Sequence, residues 1–93
     1  MSFPEGWDIE RVRSLEPSVE MLDTGDCSVF YQNSASQELE ALEVACILNF
    51  SGLCLVRVMP EGEWYMGAMD KQDSSIVCWC NYGNDLERAI RAL

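Results

Sequence analysis

Apolar and polar positions alternate with a period of two through most of the second half of the chain. Leu42, Val44, Cys46, Leu48 and Phe50 fall on alternate positions, the pair Ser51-Gly52 interrupts them, and the run Leu53-Cys54-Leu55-Val56-Arg57-Val58-Met59 follows. Alternation on both sides of a Ser-Gly pair predicts a β-hairpin. Segment 38–50 is open to a second reading, because Ser34 with Gln37 would cap a helix; the alternation favours strand. In the hairpin register Cys54 pairs with Asn49 and Cys46 with Arg57, which sends the two sulfurs to opposite faces. Pro60-Glu61-Gly62-Glu63 predicts the next turn, 64–69 the next strand, Asp70 to Ser75 a polar turn, and Ile76–Cys80 a last strand. The result is a three-strand antiparallel meander from 53 to 80.

The ends of the chain follow a different rhythm. Phe3, Trp7, Val12 and Leu15 approach a helical stripe, with Ser2 and Glu5 as a capping box and Pro4 tolerated in a first turn, so a short helix is expected over about 4–15; Gly6 weakens it. Pro17 ends that element. Val19, Met21 and Cys27–Tyr31 predict two short strands around the turn Asp23-Thr24-Gly25-Asp26, and 34–37 a loop. Residues 84–93 predict a terminal helix: Asn84 is placed to cap it, Asp85 and Glu87 sit at its positive end, Arg88 and Arg91 near its negative end, and Leu86, Ile90 and Leu93 form its buried stripe. The fold class expected is therefore α+β, an antiparallel β-sheet of about four to six strands in a meander, packed by a C-terminal α-helix and joined by a short N-terminal one. Trp64, Trp79 and Tyr82 are expected at or near the core under the terminal helix.

Composition narrows what such a fold does. Ninety-three residues, 48% hydrophobic and 24% charged, suit a single domain over 1–93 with one core and little volume for a deep substrate cavity or a large cofactor. With no histidine, a Ser-His-Asp or Cys-His arrangement is impossible. The one lysine, Lys71, lies in a polar turn, and there is no GxGxxG, no GxxxxGK[ST] and no EF-hand loop. No enzyme is expected, and no cofactor or metal. The five cysteines (Cys27, Cys46, Cys54, Cys78, Cys80) are an odd count without a secretory leader, so reduced thiols packed as small core residues are expected, in a cytoplasmic protein with no membrane-spanning segment. Cys78 and Cys80, two apart on a strand, are expected on one face.

Charge carries the functional signal. Sixteen acidic residues oppose six basic ones, for a net charge of -10, which argues against direct nucleic-acid binding. From Ser14 to Val56 there are seven acidic residues (Glu16, Glu20, Asp23, Asp26, Glu38, Glu40 and Glu43) and no lysine or arginine. A solvated acidic face is the plain reading. The sharper one is a partner-binding face, because clustered carboxylates repel one another and a cationic partner relieves that repulsion and is steered in quickly.

The tail Trp64-Tyr65-Met66-Gly67, Asp73-Ser74-Ser75-Ile76-Val77-Cys78-Trp79 and Tyr82-Gly83-Asn84-Asp85-Leu86-Glu87-Arg88-Ala89-Ile90 resembles the C-terminal third of small bacterial proteins of polymorphic-toxin immunity families. The resemblance covers about 30 residues. It implies a sheet with a terminal helix and a role in binding and neutralising a cognate toxin, often a nuclease. It assigns no contact residue. The function expected is thus an immunity protein that blocks a basic toxin through the acidic 16–43 region, as a monomer or homodimer. The alternative is an acidic nucleic-acid mimic of the anti-CRISPR or anti-restriction type, and a third reading is a homo-oligomeric structural domain. Aromatic anchors at Trp7 or Phe30 would dominate the binding energy if exposed, because hot spots favour aromatic anchors over rim charges.

Overall fold

A computed structural model describes residues 3–32, 35, 38–70 and 72–93. The element order is α1 (Ile9–Leu15), β1 (Val19–Leu22), a 3-10 turn (Thr24–Asp26), β2 (Ser28–Gln32), β3 (Leu39–Ala41), β4 (Val44–Phe50), β5 (Leu53–Val58), β6 (Glu63–Asp70), β7 (Ser75–Asn81) and α2 (Leu86–Arg91). The seven strands form one sheet in the order β1-β4-β5-β6-β7-β2-β3. The chain is α+β as expected, but the sheet is mixed and larger than four to six antiparallel strands, because β2 runs parallel to β7 with Phe30 opposite Val77.

That order forces the sheet to curl. Only Leu42 and Glu43 separate β3, at one end of the sheet, from β4, second from the other end. Three Cα steps from Ala41 to Val44 reach at most about 11 Å, whereas five strand spacings in a flat sheet would span about 24 Å. The two linking residues also continue both ladders: the Leu42 N–H donates to the Val29 carbonyl at 2.9 Å, and the Met59 N–H donates to the Glu43 carbonyl at 2.8 Å. Residues 39–50 are therefore one bent strand, whose first half pairs with β2 and whose second half pairs with β5 and β1. The sheet closes on itself through this strand.

Closure explains why the strands are apolar on both faces. Val29, Ile47, Cys54, Val56, Ile76 and Cys78 fill the interior, joined by Leu22, Cys27, Tyr31, Tyr65 and Met69. On the outside, Val19, Cys46, Leu48, Phe50, Leu55, Trp64 and Met66 pack under Val12 of α1 and Leu86, Ala89 and Ile90 of α2. The run Leu53–Val58 thus sends Leu53 and Leu55 to the helices and Cys54 and Val56 inward. The hairpin register is as expected, with Asn49 opposite Cys54 and Cys46 opposite Arg57.

Several expectations are corrected. The N-terminal helix starts at Ile9, because Gly6 takes φ +85 and Pro4 to Trp7 form a turn; Asp8 caps the helix by accepting the Arg11 N–H at 2.8 Å. Leu15 lies exposed rather than on the buried stripe. Asp85, not Asn84, caps α2, accepting the Arg88 N–H at 3.0 Å. Strands β1 and β2 flank the Asp23–Asp26 turn, but each pairs elsewhere, with β4 and with β3 and β7. Cys78 and Cys80 face opposite ways: the register slips between Met66 and Gly67, so Cys78 faces Gly67 and packs inward, whereas Cys80 faces Met66 on the helix side. Trp79, at that bulge, is exposed rather than near the core. The Ser2 cap, the Lys71 position and most of the 34–37 loop lie outside the described residues.

Candidate functional site

The bent strand sets where the carboxylates lie. Because β1 pairs with its second half and β2 with its first, the turn between them packs beside β4. Glu16 caps the end of α1, Glu20 stands opposite Asn49, and Asp23 accepts the Gly25 N–H at 2.8 Å at the start of that turn, which Asp26 ends. Glu38 precedes β3, Glu40 faces Tyr31 across the β2–β3 ladder, and Glu43 lies in the link to β4. Six of the seven are exposed and Glu16 is half-buried. The fold thus brings the 16–43 carboxylates along one seam, although not onto one plane. Glu16 and Glu20 lie at one end of the seam and Glu40 at the other, on the face of Tyr31 and Tyr65. Those two rings meet edge to face at 5.5 Å between centroids. Burial first, then Glu63, Tyr31 and Glu40, raises the Tyr65 phenol above its ordinary value.

Positive charge sits elsewhere. Among the described residues the basic side chains are Arg11 and Arg13 on α1, Arg57 on β5, and Arg88 and Arg91 on α2. Arg11 stacks on Trp7 at 3.9 Å, donates to the Gly6 carbonyl at 2.9 Å and approaches Glu87 at 4.0 Å. Arg13 pairs with Glu10, and Arg91 with Glu87. Trp7 is therefore tied to the helices, half-buried against the helix-side core, and is not a free anchor.

An apolar surface lies beyond the reach of the helices. On β2 and β7 the pleat points Val29, Tyr31, Ile76 and Cys78 inward, so Phe30 and Val77 face out, and Trp79, at the bulge that follows, is exposed. The ladders then place Ala41, Phe30, Val77 and Ala68 in one row across β3, β2, β7 and β6. Leu39, opposite Gln32, stands in the next row, beside which β7 carries Trp79. Leu39 is 54% exposed and Trp79 50%. Sequence reasoning singled out Phe30 but missed Leu39 and Trp79. The signal was present in Ile76-Val77-Cys78-Trp79, where every position is apolar: one set of alternate residues fills an interior, and the other needs a cover that two short helices cannot extend to provide.

The thiols are packing groups. Burial pushes Cys54 up to about 11 and Cys78 up to about 12, each raised further by a neighbouring thiol, and the Cys54 Sγ–H donates to Asn49 Oδ1 at 3.6 Å. Cys27 is raised as well, by burial and then by Asp26 and Asp23. Thiols held protonated are poor nucleophiles and poor metal ligands at neutral pH. Among the described residues, no group of three or more histidine, cysteine or acidic side chains is arranged to hold a metal, and no helix is long and apolar enough to cross a membrane.

Neither a family model, nor a curated protein, nor a solved structure matches this chain.

Proposed function

We propose that the protein is a binding protein and not an enzyme: an immunity protein that neutralises a basic, nuclease-like toxin through its acidic surface. The observation that carries this reading is the run of exposed carboxylates along the bent strand and its neighbours. The carboxylates of Glu20, Asp23, Asp26, Glu38, Glu40 and Glu43 are all exposed there, and of the described arginines only Arg57, on β5 opposite Cys46, stands on a strand beside them; the other four lie on the two helices. A field of one sign on one flank accelerates encounter with a partner of the other sign. Nuclease clefts are partners of that kind, since they are basic in order to hold phosphates. The resemblance of the C-terminal third to toxin-immunity proteins, carried mostly by core aromatics, a turn and a helix cap, suggests a toxin as the partner class.

The test is retention of a cognate effector from native cytosol on the tagged protein at low and at high salt, followed by an activity assay of the retained effector with and without this chain. Retention at low salt, release at high salt and inhibition of the effector support the reading. Glu40→Lys with Glu43→Lys should slow association while leaving the melting temperature nearly unchanged. Unchanged affinity of that double variant at low salt sinks the acidic-surface mechanism, and a retained effector that stays fully active sinks the immunity role.

A further inference from the structure

The acidic seam explains how a partner is steered but not what holds it, because exposed charges at a rim contribute little to the lifetime of a complex. Elsewhere most large apolar groups are buried, and the exposed ones, Leu15, Met21 and Met59, are scattered over α1, β1 and the end of β5. Trp64, Leu48 and Leu55 are fully enclosed under the helices, and Ile47, Val56 and Ile76 fill the interior. The outer face of β7, β2 and β3 differs in gathering apolar residues on adjacent strands. There Phe30, Leu39, Ala41 and Val77 share one side of three adjacent strands, with Ala68 of β6 at the margin and the exposed Trp79 at the bulge of β7 that follows Cys78. None of them belongs to either packed cluster.

We infer that this face is the anchoring surface for the partner, with Trp79 and Leu39 gripping an apolar side chain presented from a cationic protein surface. The inference rests on the binding-protein reading above and deepens it by naming the contact that sets dissociation. Charge decides the occupant. Glu38 and Glu43 lie just outside the two ends of β3, Asp70 stands on the same face of β6 as Ala68, and Asp73 follows in the turn to β7. The described arginines are all on α1, α2 and β5. An apolar centre with an acidic border fits a partner that carries an apolar knob within a basic surround. A second copy fits poorly, because a two-fold contact through this face would set the same carboxylates against themselves.

With Trp7→Phe in the background, Trp79 provides its own readout, since Trp64 is fully buried and Trp79 half-exposed. The probes are three synthetic peptides: an amphipathic helix of leucine and lysine, its leucine and glutamate counterpart, and an oligolysine of the same charge. The leucine-lysine helix should bind and shift the tryptophan emission to shorter wavelength. Oligolysine should bind about tenfold more weakly or worse, and the glutamate helix should not bind. Trp79→Ala and, separately, Leu39→Ser should each weaken the leucine-lysine helix by about tenfold while the melting temperature holds, and Trp79→Phe should restore most of the affinity. Binding unchanged in both Trp79→Ala and Leu39→Ser overturns the inference, as does oligolysine binding as tightly as the leucine-lysine helix. Concentration-dependent dimers that Trp79→Ala abolishes would also overturn it, by making a second copy the occupant. Two failures remain distinguishable. If Glu40→Lys with Glu43→Lys weakens binding and Trp79→Ala does not, the acidic mechanism stands without this anchor; the converse removes the acidic mechanism and keeps the anchor.

Discussion

The outer surface of the sheet divides into two halves with similar residues and opposite fates. Over β1, β4, β5 and β6, the side chains of Val19, Leu48, Phe50, Leu55, Trp64 and Met66 lie under α1 and α2. Over β7, β2 and β3, the side chains of Val77, Trp79, Phe30 and Leu39 meet solvent wholly or in part. Residue type does not separate the halves, since each carries a tryptophan, a phenylalanine, a leucine and a valine. Cover does. Seven and six residues of helix are enough for four strands and not for seven. Apolar surface that a chain retains but does not cover costs solubility, and a contiguous patch of it marks a contact site more often than a packing fault.

The largest effect that sharpens this contrast belongs to the covered half. Trp64→Ala should lower stability by about 3–5 kcal/mol, read as a large fall in melting temperature or in the denaturant midpoint. The Trp64 indole N–H meets no acceptor among the described residues, so the loss is one of packing and not of a hydrogen bond. A fall of under about 1 kcal/mol would mean that the helices are loosely docked and the covered half is not a core.

Gly67→Ala comes next, at the seam between the two halves. A Cβ there would stand 2.6 Å from the Val77 carbonyl oxygen and 2.9 Å from Cys78 Cα, both backbone atoms that cannot swing away. The expected cost is about 1–3 kcal/mol, with the tryptophan emission altered because Trp79 sits on the same bulge. A variant as stable as the parent would show that β6 and β7 are not held this closely.

Alkaline pH tests the interior that both halves share. Folded Cys54 and Cys78 titrate at about 11 and about 12, above the ordinary thiol value of 9.0. The folded chain therefore keeps protons that the unfolded chain releases, so stability is full below about pH 9 and falls as the pH rises toward 11. The melting temperature should drop by several degrees across that window and be flat from pH 7 to 8.5, with Cys54→Ala in Cys78→Ala flattening the alkaline limb. A thiol reagent on the native protein should likewise reach Cys27 and Cys80 well before Cys46, Cys54 and Cys78. An unchanged alkaline limb in the double variant would place the titration elsewhere.

The smallest expected effect completes the comparison. Trp79→Ala should move stability by no more than about 0.5 kcal/mol, measured in the same denaturant series as Trp64→Ala. A loss on the scale of Trp64 would make the open half part of the core and end its role as a contact surface.

What the sequence discloses of this fold follows from the range of its signals. The hairpin at Ser51-Gly52 was legible to the residue, because alternation and turn chemistry act within a few positions. So were the strands at 53–80 and a terminal helix with Leu86 and Ile90 buried. The parallel pairing of β2 with β7 was not, since no local pattern tells residues 28–31 that 75–78 will lie beside them. The bend at Leu42-Glu43 escaped for a related reason: Leu42, Val44, Cys46, Leu48 and Phe50 alternate in the sequence as if they shared one face, but the irregularity between Val44 and Cys46 turns the first two inward and the other three toward the helices. The bulge at Trp79 reversed the facing of Cys80 and exposed an aromatic that composition alone assigns to a core. The acidic residues of the candidate site could be read directly, their arrangement along a seam could not, and the apolar surface beside them needed the pairing order to be seen at all.

The bent strand also has a consequence for the order of folding. Strands β4 to β7 pair with sequence neighbours through short turns, whereas the β2–β7 ladder joins parts of the chain more than forty residues apart. Pairing that closes a long loop loses more chain entropy before it gains contacts, so the meander should assemble first and β2 should dock last. Mutational rate analysis should then show Leu55→Ala slowing refolding and Val29→Ala chiefly speeding unfolding. The reverse pattern would mean that the sheet closes before its meander is complete.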